Sequence, residues 1–291
     1  MLRPYKRQGG MACSRESRGE FILPPLGRLS GKVDCRRRAV TRKSLGVSGL
    51  ALVVAWQLAS LGVRSPVLPG PVEVAIIFVA ALGKGLMEHF LASAYRVGLA
   101  MVLAALLAAP LGLAVGQNRR LDGLFSPAIY LTYPIPKIVF LPVVLLLLGL
   151  GDPSKVFIIW LILFYQVVLV VRDASRSVRP ELIESVYSLG AGRLQLLAYV
   201  YFPACLPAIL TALRVSAGTA IAVLFFSESF ATQSGLGYYI LVEGWGRMAY
   251  GEMYAGVLGM SLLGLVIYLA LDQLDRRACR WQRAGAGRDN S

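Results

Sequence analysis

The sequence predicts an all-α integral membrane protein with about six transmembrane helices and a helical cytoplasmic loop between spans four and five. Two observations lead there. Hydrophobic residues fill 56% of the 291 positions and charged residues only 16%, a balance outside the range of ordinary soluble domains. The apolar residues also gather into repeated stretches of about 20, the length at which a helix crosses roughly 30 Å of hydrocarbon. Backbone polar groups in a bilayer must be bonded internally, so continuous runs of this length mean helices.

The first stretch is Leu45 to Val63. Pro66, Pro69 and Pro71 then break the chain, and the next apolar run, Val74 to Leu82, is too short to span before Gly83, Lys84 and Gly85 interrupt it. Val72 to Leu86 is therefore read as a surface or partly inserted helix, and as a seventh span only if it crosses. Leu91 to Gly116, Ser126 to Gly151, Val156 to Val171, Pro207 to Phe230 and Tyr254 to Leu271 complete six spans. Four regions follow: a basic, disordered tail over 1–44, a first transmembrane helix with an external segment over 45–87, the main transmembrane domain over 88–272, and a second basic tail over 273–291.

The formal net charge is +14, and its placement decides what it means. Twelve of the 30 Lys and Arg residues precede Leu45, and five follow the last span, from Arg276 to Arg288. Four more lie between Arg172 and Arg193, and Arg119 with Arg120 separates spans two and three. With six spans all four regions fall on one side, which the positive-inside rule makes the cytoplasm, with both termini inside. The opposite loops hold only Arg64, Lys84, Lys155 and Arg247. Topology thus explains the basic balance without nucleic acid, and the basic N-terminal tail also suits anionic lipid.

Several chemistries are excluded. A cleaved signal peptide is disfavoured because Leu45 to Val63 is long for that role and lacks a small-residue cleavage site. Cys13, Cys35, Cys205 and Cys279 fall on or near the cytoplasmic side, so neither a disulfide nor a metal site is expected. His89 is the only histidine, which removes His-pair metal sites, and no triad forms around it. No GxxxxGK[ST] loop occurs, so this chain is not expected to bind and hydrolyse ATP itself, and no cofactor is expected.

The most informative stretch is RPELIESVYSLGAGRLQLLAYVYFPACLPAIL, from Arg179 to Leu210. Pro180 suits a first helical position, and Glu181 and Glu184 occupy the first turns, where the helix dipole favours acids. Leu182, Val186 and Leu189 recur at helical spacing. Gly190 and Gly192 bracket Ala191 and allow a reversal. A second helix runs from Arg193 until Pro203 and Pro207 re-aim the chain into the membrane. The product is a compact helical knob.

This loop resembles the cytoplasmic loop of permeases from bacterial binding-protein-dependent ABC importers, whose pattern is Glu-Ala-Ala, Gly, then Ile-x-Leu-Pro. Glu184, Ser185 and Val186 stand at the Glu-Ala-Ala positions, Gly190 at the glycine, and Val200, Phe202 and Pro203 at the Ile, Leu and Pro. Both alanines, the isoleucine and the leucine are replaced, while the positions most tied to geometry are kept. PVEV from Pro71, YPIPKIVFLP from Tyr133, GLGDPSK from Gly149 and SGLGYYI from Ser234 extend the likeness from about Leu45 to Leu271. They point to the subfamily that imports nitrate, sulfonates, taurine or thiamine-precursor pyrimidines. The resemblance implies a coupling helix that docks in a groove of a separate ATP-binding subunit, which would hydrolyse the ATP. It also implies a second permease subunit, the same or homologous, and an extracytoplasmic solute-binding protein.

Path residues are sought among intramembrane polar groups. Glu228, flanked by Ser227 and Ser229, lies among apolar neighbours near the outer end of span five; it either lines the translocation path or is an interfacial carboxylate bonded to those serines or to backbone. Lys137 follows Pro134 and Pro136 in span three, where a loosened helix exposes backbone to a cavity. Its alternative is to snorkel to an interface or pair with an acid. Gly235 and Gly237 read as an external turn before a ligand site. An intramembrane enzyme would need a catalytic set inside the spans, and a secondary transporter would show repeated halves or several intramembrane charges.

Overall fold

The computed structural model describes residues 42–63, 65–230 and 232–279. Most of the two basic tails lies outside these residues, as do Cys13 and Cys35. The described chain is helical throughout, with helices α1 (Arg42–Val63), α2 (Pro71–Ala81), α3 (Met87–Gln117), α4 (Arg119–Thr132), α5 (Leu141–Leu148) and α6 (Asp152–Arg176). They are followed by α7 (Pro180–Ser188), α8 (Arg193–Leu196), α9 (Phe202–Ser229), the turn α10 (Leu236–Tyr238) and α11 (Tyr250–Ala278). Five helical rods are long and apolar enough to cross a membrane, and a sixth span follows if the bent pair α4 and α5 is counted as one.

The bundle is built on α3 and α6. Ala100, Ala104, Ala108, Gly112 and Gly116 recur every four residues along α3, and the three alanines are fully buried. Small residues at this spacing let two helix backbones approach, the main way helices associate in lipid, where no hydrophobic gain separates Leu from a lipid tail. The approach is closest at the two glycines. A Cβ on Gly112 would lie 2.9 Å from the Val168 carbonyl oxygen, and one on Gly116 would lie 2.6 Å from that of Arg172. α9 packs against both α6 and α3, burying Ile209, Leu213, Ala217 and Ala220.

Three details differ from the sequence reading or add to it. Ser126 to Gly151 is not one helix, because the chain bends by 80° between α4 and the segment that starts at Lys137. Proline lacks the N–H that would continue the ladder and pushes the preceding residue out of the α region, and here Pro134 and Pro136 act in tandem. Val72 to Leu86, read as a surface or partly inserted helix, also packs on the bundle: Val74 and Ala81 are buried, and α2 contacts α11, with Ile77 against Gly251 and Phe78 near Gly259. It joins α3 through a five-residue π-helical kink at which Gly85 takes φ 109°. Finally, Pro203 and Pro207 do not redirect the chain, and a helical rod runs from Arg193 to Ser229. A π-helical turn at Leu197–Tyr201 precedes Pro203, and the Phe202 N–H reaches back to the Leu197 carbonyl. The wider turn makes room for a proline ring that an α-helical turn would reject.

Candidate functional site

Three places on the bundle hold chemistry. The first is a buried polar cluster where α3, α6 and α9 end together. Glu228 is fully buried on α9, and a carboxylate there demands partners. Arg96 Nη1 of α3 donates to Glu228 Oε1 at 2.7 Å, and the Ser93 hydroxyl donates to both carboxylate oxygens, at 2.9 and 2.8 Å. The N–H of Gly237 completes the set at 2.9 Å. The serine partners expected from sequence turn elsewhere: Ser227 Oγ donates to the Leu224 carbonyl and Ser229 Oγ to that of Phe225.

Arg96 spends its remaining donors on Asp152 at the start of α6 and on the carbonyl and hydroxyl oxygens of Ser234. Gly235 and Gly237 serve this cluster directly, as the sequence reading of a turn allows. Gly235 takes φ 114°, its N–H donates to His89 Nδ1 at 3.0 Å, and a Cβ there would collide with the Glu228 carboxylate and the Arg96 guanidinium. Lys155, one turn along α6 from Asp152, is 1% exposed and donates to the carbonyls of Leu150 and Gly151. An open cleft of ≈ 540 Å³ lies over these groups, lined by Arg96, Asp152, Lys155, Gln233 and Ser234. Ser93 and Arg96 were not singled out from sequence, and Asp152 and Lys155 entered only within GLGDPSK and as a loop charge. The available signal was Arg96 itself, a cation inside an apolar span that needs an acid, and Glu228 was the intramembrane acid already identified.

The second place is the break in span three. The last turn of α4 leaves carbonyls without intrahelical partners, and Lys137 caps them, with Nζ 3.0 Å from the Thr132 oxygen and 3.2 Å from that of Tyr133. The same ammonium sits 4.2 Å from the centre of the Tyr165 ring on α6. No carboxylate lies within 4.0 Å of it among the described residues, and the side chain is partly exposed. Pro136 lines the adjoining cavity of ≈ 310 Å³ with Lys137, Tyr165, Gln166, Thr219 and Val223. Thirteen residues of α6 separate Asp152 from Tyr165, about 20 Å at 1.5 Å per residue, so this open cavity is displaced by that distance along α6 from the polar cluster.

The third place is the knob. α7 starts on Pro180, and Gly190 reverses the chain at φ 84° with its N–H bonded to the Tyr187 carbonyl at 2.9 Å. The Gln195 amide oxygen accepts from the Gly192 N–H at 2.8 Å and fixes the start of α8. Val200 is buried, and Val186 and Pro203 are half-buried. Glu184, Ser185 and Phe202 are exposed, and Glu184 has no ion-pair partner among the described residues. No residue of α7 is buried, while Leu189 is 85% and Leu194 80% exposed. Near this end Asp122 of α4 is clamped by Arg172 at 2.6 Å and Arg176 at 3.0 Å, which ties α4 to α6.

Residues 100–279 match the family described as binding-protein-dependent transport system inner membrane component. The chain belongs to this family. It is 33% identical over 245 residues, 82% of this chain and 89% of the relative, to the taurine transport system permease protein TauC of Escherichia coli strain K12. It is 29% identical over 259 residues, 86% and 94% of the two chains, to the putative aliphatic sulfonates transport permease protein SsuC of Bacillus subtilis strain 168. Among solved structures, an inward-facing form of the MetNI methionine ABC transporter matches with a TM-score of 0.58 at 18% identity, over 68% of this chain and 98% of that one, a likeness of fold. The protein is thus a multi-pass inner-membrane permease subunit of the ABC transporter class. The family match takes in the knob, the broken span and Glu228, whereas Ser93 and Arg96 lie just ahead of it.

Proposed function

We propose that this chain lines the path by which a small anionic or heterocyclic solute enters the cell, with the energy supplied through the knob at Glu184–Gly190. A separate ATP-binding subunit docks on the knob and carries out the hydrolysis, so the permease is not itself an enzyme. An extracytoplasmic solute-binding protein delivers the solute, and a second permease subunit, the same or homologous, completes the path within membrane lipid. Pro136 and Lys137 line the path at the break of span three. Ser227 and Glu228 hold its outer end, Glu228 through Arg96. Both termini and the knob lie in the cytoplasm, supported by the clustering of Lys and Arg in alternate loops.

The observation that carries the coupling role is the knob's surface. No residue of α7 is fully buried, and the knob presents Tyr187, Leu189 and Leu194 beside Glu184, whose carboxylate has no ion-pair partner among the described residues. An apolar group of this size outside the lipid-facing belt marks a protein contact. Closure of the ATPases shifts the permease between states only through a contact that transmits force, and the fixed turn at Gly190 and the cap at Gly192 make the knob rigid. The test is co-purification of the permease with its ATPase. Gly190→Val, which forces a β-branched residue to φ 84°, is expected to lose association or coupled hydrolysis, and Ser188→Ala is expected to keep both. Normal association and normal substrate-stimulated hydrolysis in both Gly190→Val and Glu184→Ala would overturn the assignment.

A further inference from the structure

We infer that His89 is a positioning residue for the outer end of the bundle, holding residues 234–237 over Glu228 only while its imidazole is neutral. Acid on that side of the membrane therefore releases this segment. The inference rests on the reading that Glu228 holds the outer end of the path, and it adds a proton as the control.

Five hydrogen bonds fasten the segment to side chains of α3 and α9. Arg96 donates to the Ser234 carbonyl and hydroxyl oxygens, each at 2.8 Å. The N–H groups of Gly235, Leu236 and Gly237 then donate in turn to His89 Nδ1 at 3.0 Å, Ser93 Oγ at 2.8 Å and Glu228 Oε2 at 2.9 Å. Gly235, at φ 114°, lies so close over Glu228 and Arg96 that no side chain fits between, so slackening here uncovers the pair. Ser234 and Gln233 also wall the outer cleft with Arg96, Asp152 and Lys155. Among the groups that make these bonds, only an imidazole ordinarily changes charge between about pH 5 and 8, and His89 is the only histidine in the chain.

The chemistry of that one bond is all-or-none. A backbone N–H can only donate, so the Gly235 bond requires a lone pair on Nδ1. An imidazolium carries N–H on both nitrogens, and protonation sets two donors against each other across 3.0 Å. The ring cannot readily turn away, because it lies against Tyr238 and Tyr239 with centroids 5.9 and 5.6 Å off. A backbone N–H that loses its acceptor in a half-buried place is costly.

Nothing nearby offsets the loss. The charged groups around His89 are Glu88 and Arg96 on its own helix, Glu228 beneath Gly235, Asp152 and Lys155 beyond Arg96, and Lys84, Glu243, Arg247 and Glu252 in the cleft that holds Tyr239. No carboxylate lies within 4.0 Å of His89 among the described residues, and Glu228 is already engaged by Ser93, Arg96 and Gly237. The charged ring thus gains no ion pair where it stands. The Tyr239 hydroxyl, pushed up to about 12 by burial and by Glu252 and Glu243, stays neutral throughout the range.

A nitroxide on Gln233→Cys, with Cys13, Cys35, Cys205 and Cys279 changed to serine, reports on the segment from an exposed position. The full-length permease is placed in phosphatidylcholine vesicles, whose headgroup does not titrate near neutrality. With His89 intact, the label is expected to move slowly at pH 8 and about twofold faster at pH 5. His89→Asn puts an amide oxygen near the place of Nδ1 and cannot titrate, so its label should stay slow at both. His89→Leu offers no acceptor, so its label should be fast at both.

Equal motion at pH 8 and pH 5 with His89 intact would overturn the proposal. So would a pH response undiminished in His89→Asn, which would pass the control to carboxylates such as Glu228 and Asp152, or a His89→Leu label as slow as the native one at pH 8. The underlying reading fails separately. If Gln233→Cys reacted with an impermeant maleimide only after cells were opened, this end would face the cytoplasm, while the dependence on His89 would stand.

Discussion

Arg96 and Glu228, 132 residues apart in sequence, face each other at 2.7 Å with 3% and 0% of their side chains exposed. The pair locks α3 to α9, and through Asp152 and Ser234 it also gathers α6 and the segment ahead of α10. Removing one member of such a pair strands the other, which costs about 3–5 kcal/mol, whereas removing both costs far less. Arg96→Met and Glu228→Leu are each expected to lower the thermal midpoint in detergent sharply, and the double variant should recover part of the loss. Asp152, half exposed, gives a smaller effect when changed to Asn. Additive losses in the double variant would show that the two residues act separately.

The contact between α3 and α6 is set by glycine as much as by any hydrophobic side chain. Gly116→Val places methyl groups where the Arg172 carbonyl and the Ser175 side chain already stand, so the helices must part and the midpoint must fall. Gly98 lies on the same helix with nothing within 4 Å of an added Cβ. Gly98→Ala should be neutral or stabilising by up to about 1 kcal/mol through helix propensity alone. Thermal unfolding of the two variants side by side checks the contrast.

Much of this arrangement was legible from sequence because the bilayer imposes a strong grammar. Five of the six expected spans fall within single helical rods, since apolar runs of about 20 leave the backbone no alternative. The knob's two helices and their glycine reversal were readable too, from Pro180, Gly190 and Gly192, whose backbone preferences act locally. What failed depended on distant partners. Length and interruptions described Val72 to Leu86 correctly as broken, yet could not show that α11 offers Gly251 and Gly259 to receive it. A proline in sequence does not announce whether a π-helical turn precedes it, so Pro203 was read as a break. Glu228 was found and Arg96 overlooked, because the acid stood out locally and its partner lay on another span. Counting the three cations left inside the spans, Arg96, Lys137 and Arg214, and asking each for its counter-charge would have found the pair.

Orientation follows from placing reporters at the two ends of α9. Its 28 residues span about 42 Å, enough to separate the knob from the turn at Trp245–Met248 by the thickness of a bilayer. Cys279 is buried and is a poor probe. Trp245→Cys and Ser188→Cys are exposed, and each is expected to react with an impermeant maleimide from one side only. Trp245→Cys should label in intact cells and Ser188→Cys only after the membrane is opened. The reverse pattern would invert the topology that the basic loops suggest.

The knob offers the sharpest separation of folding from coupling. Leu189 and Leu194 project into solvent at 85% and 80% exposure, so changing either to glutamate removes no packing within the described chain and should move stability by no more than about 0.5 kcal/mol. If these leucines seat in a groove of the ATP-binding subunit, a charge there must be buried without a partner on docking, which is far more costly than loss of the contact itself. Leu189→Glu and Leu194→Glu permeases are therefore expected to insert, to unfold at the native temperature, and to lose at least tenfold in affinity for the ATPase. Leu196→Glu is the control for the opposite case, because that side chain, at the end of α8, is buried and its change should damage the knob itself. Pull-down of the ATPase against a thermal unfolding curve of the same preparation reads both quantities at once. Native association by both exposed-leucine variants would place the docking surface elsewhere, since no groove that grips these two side chains tolerates two carboxylates in their stead.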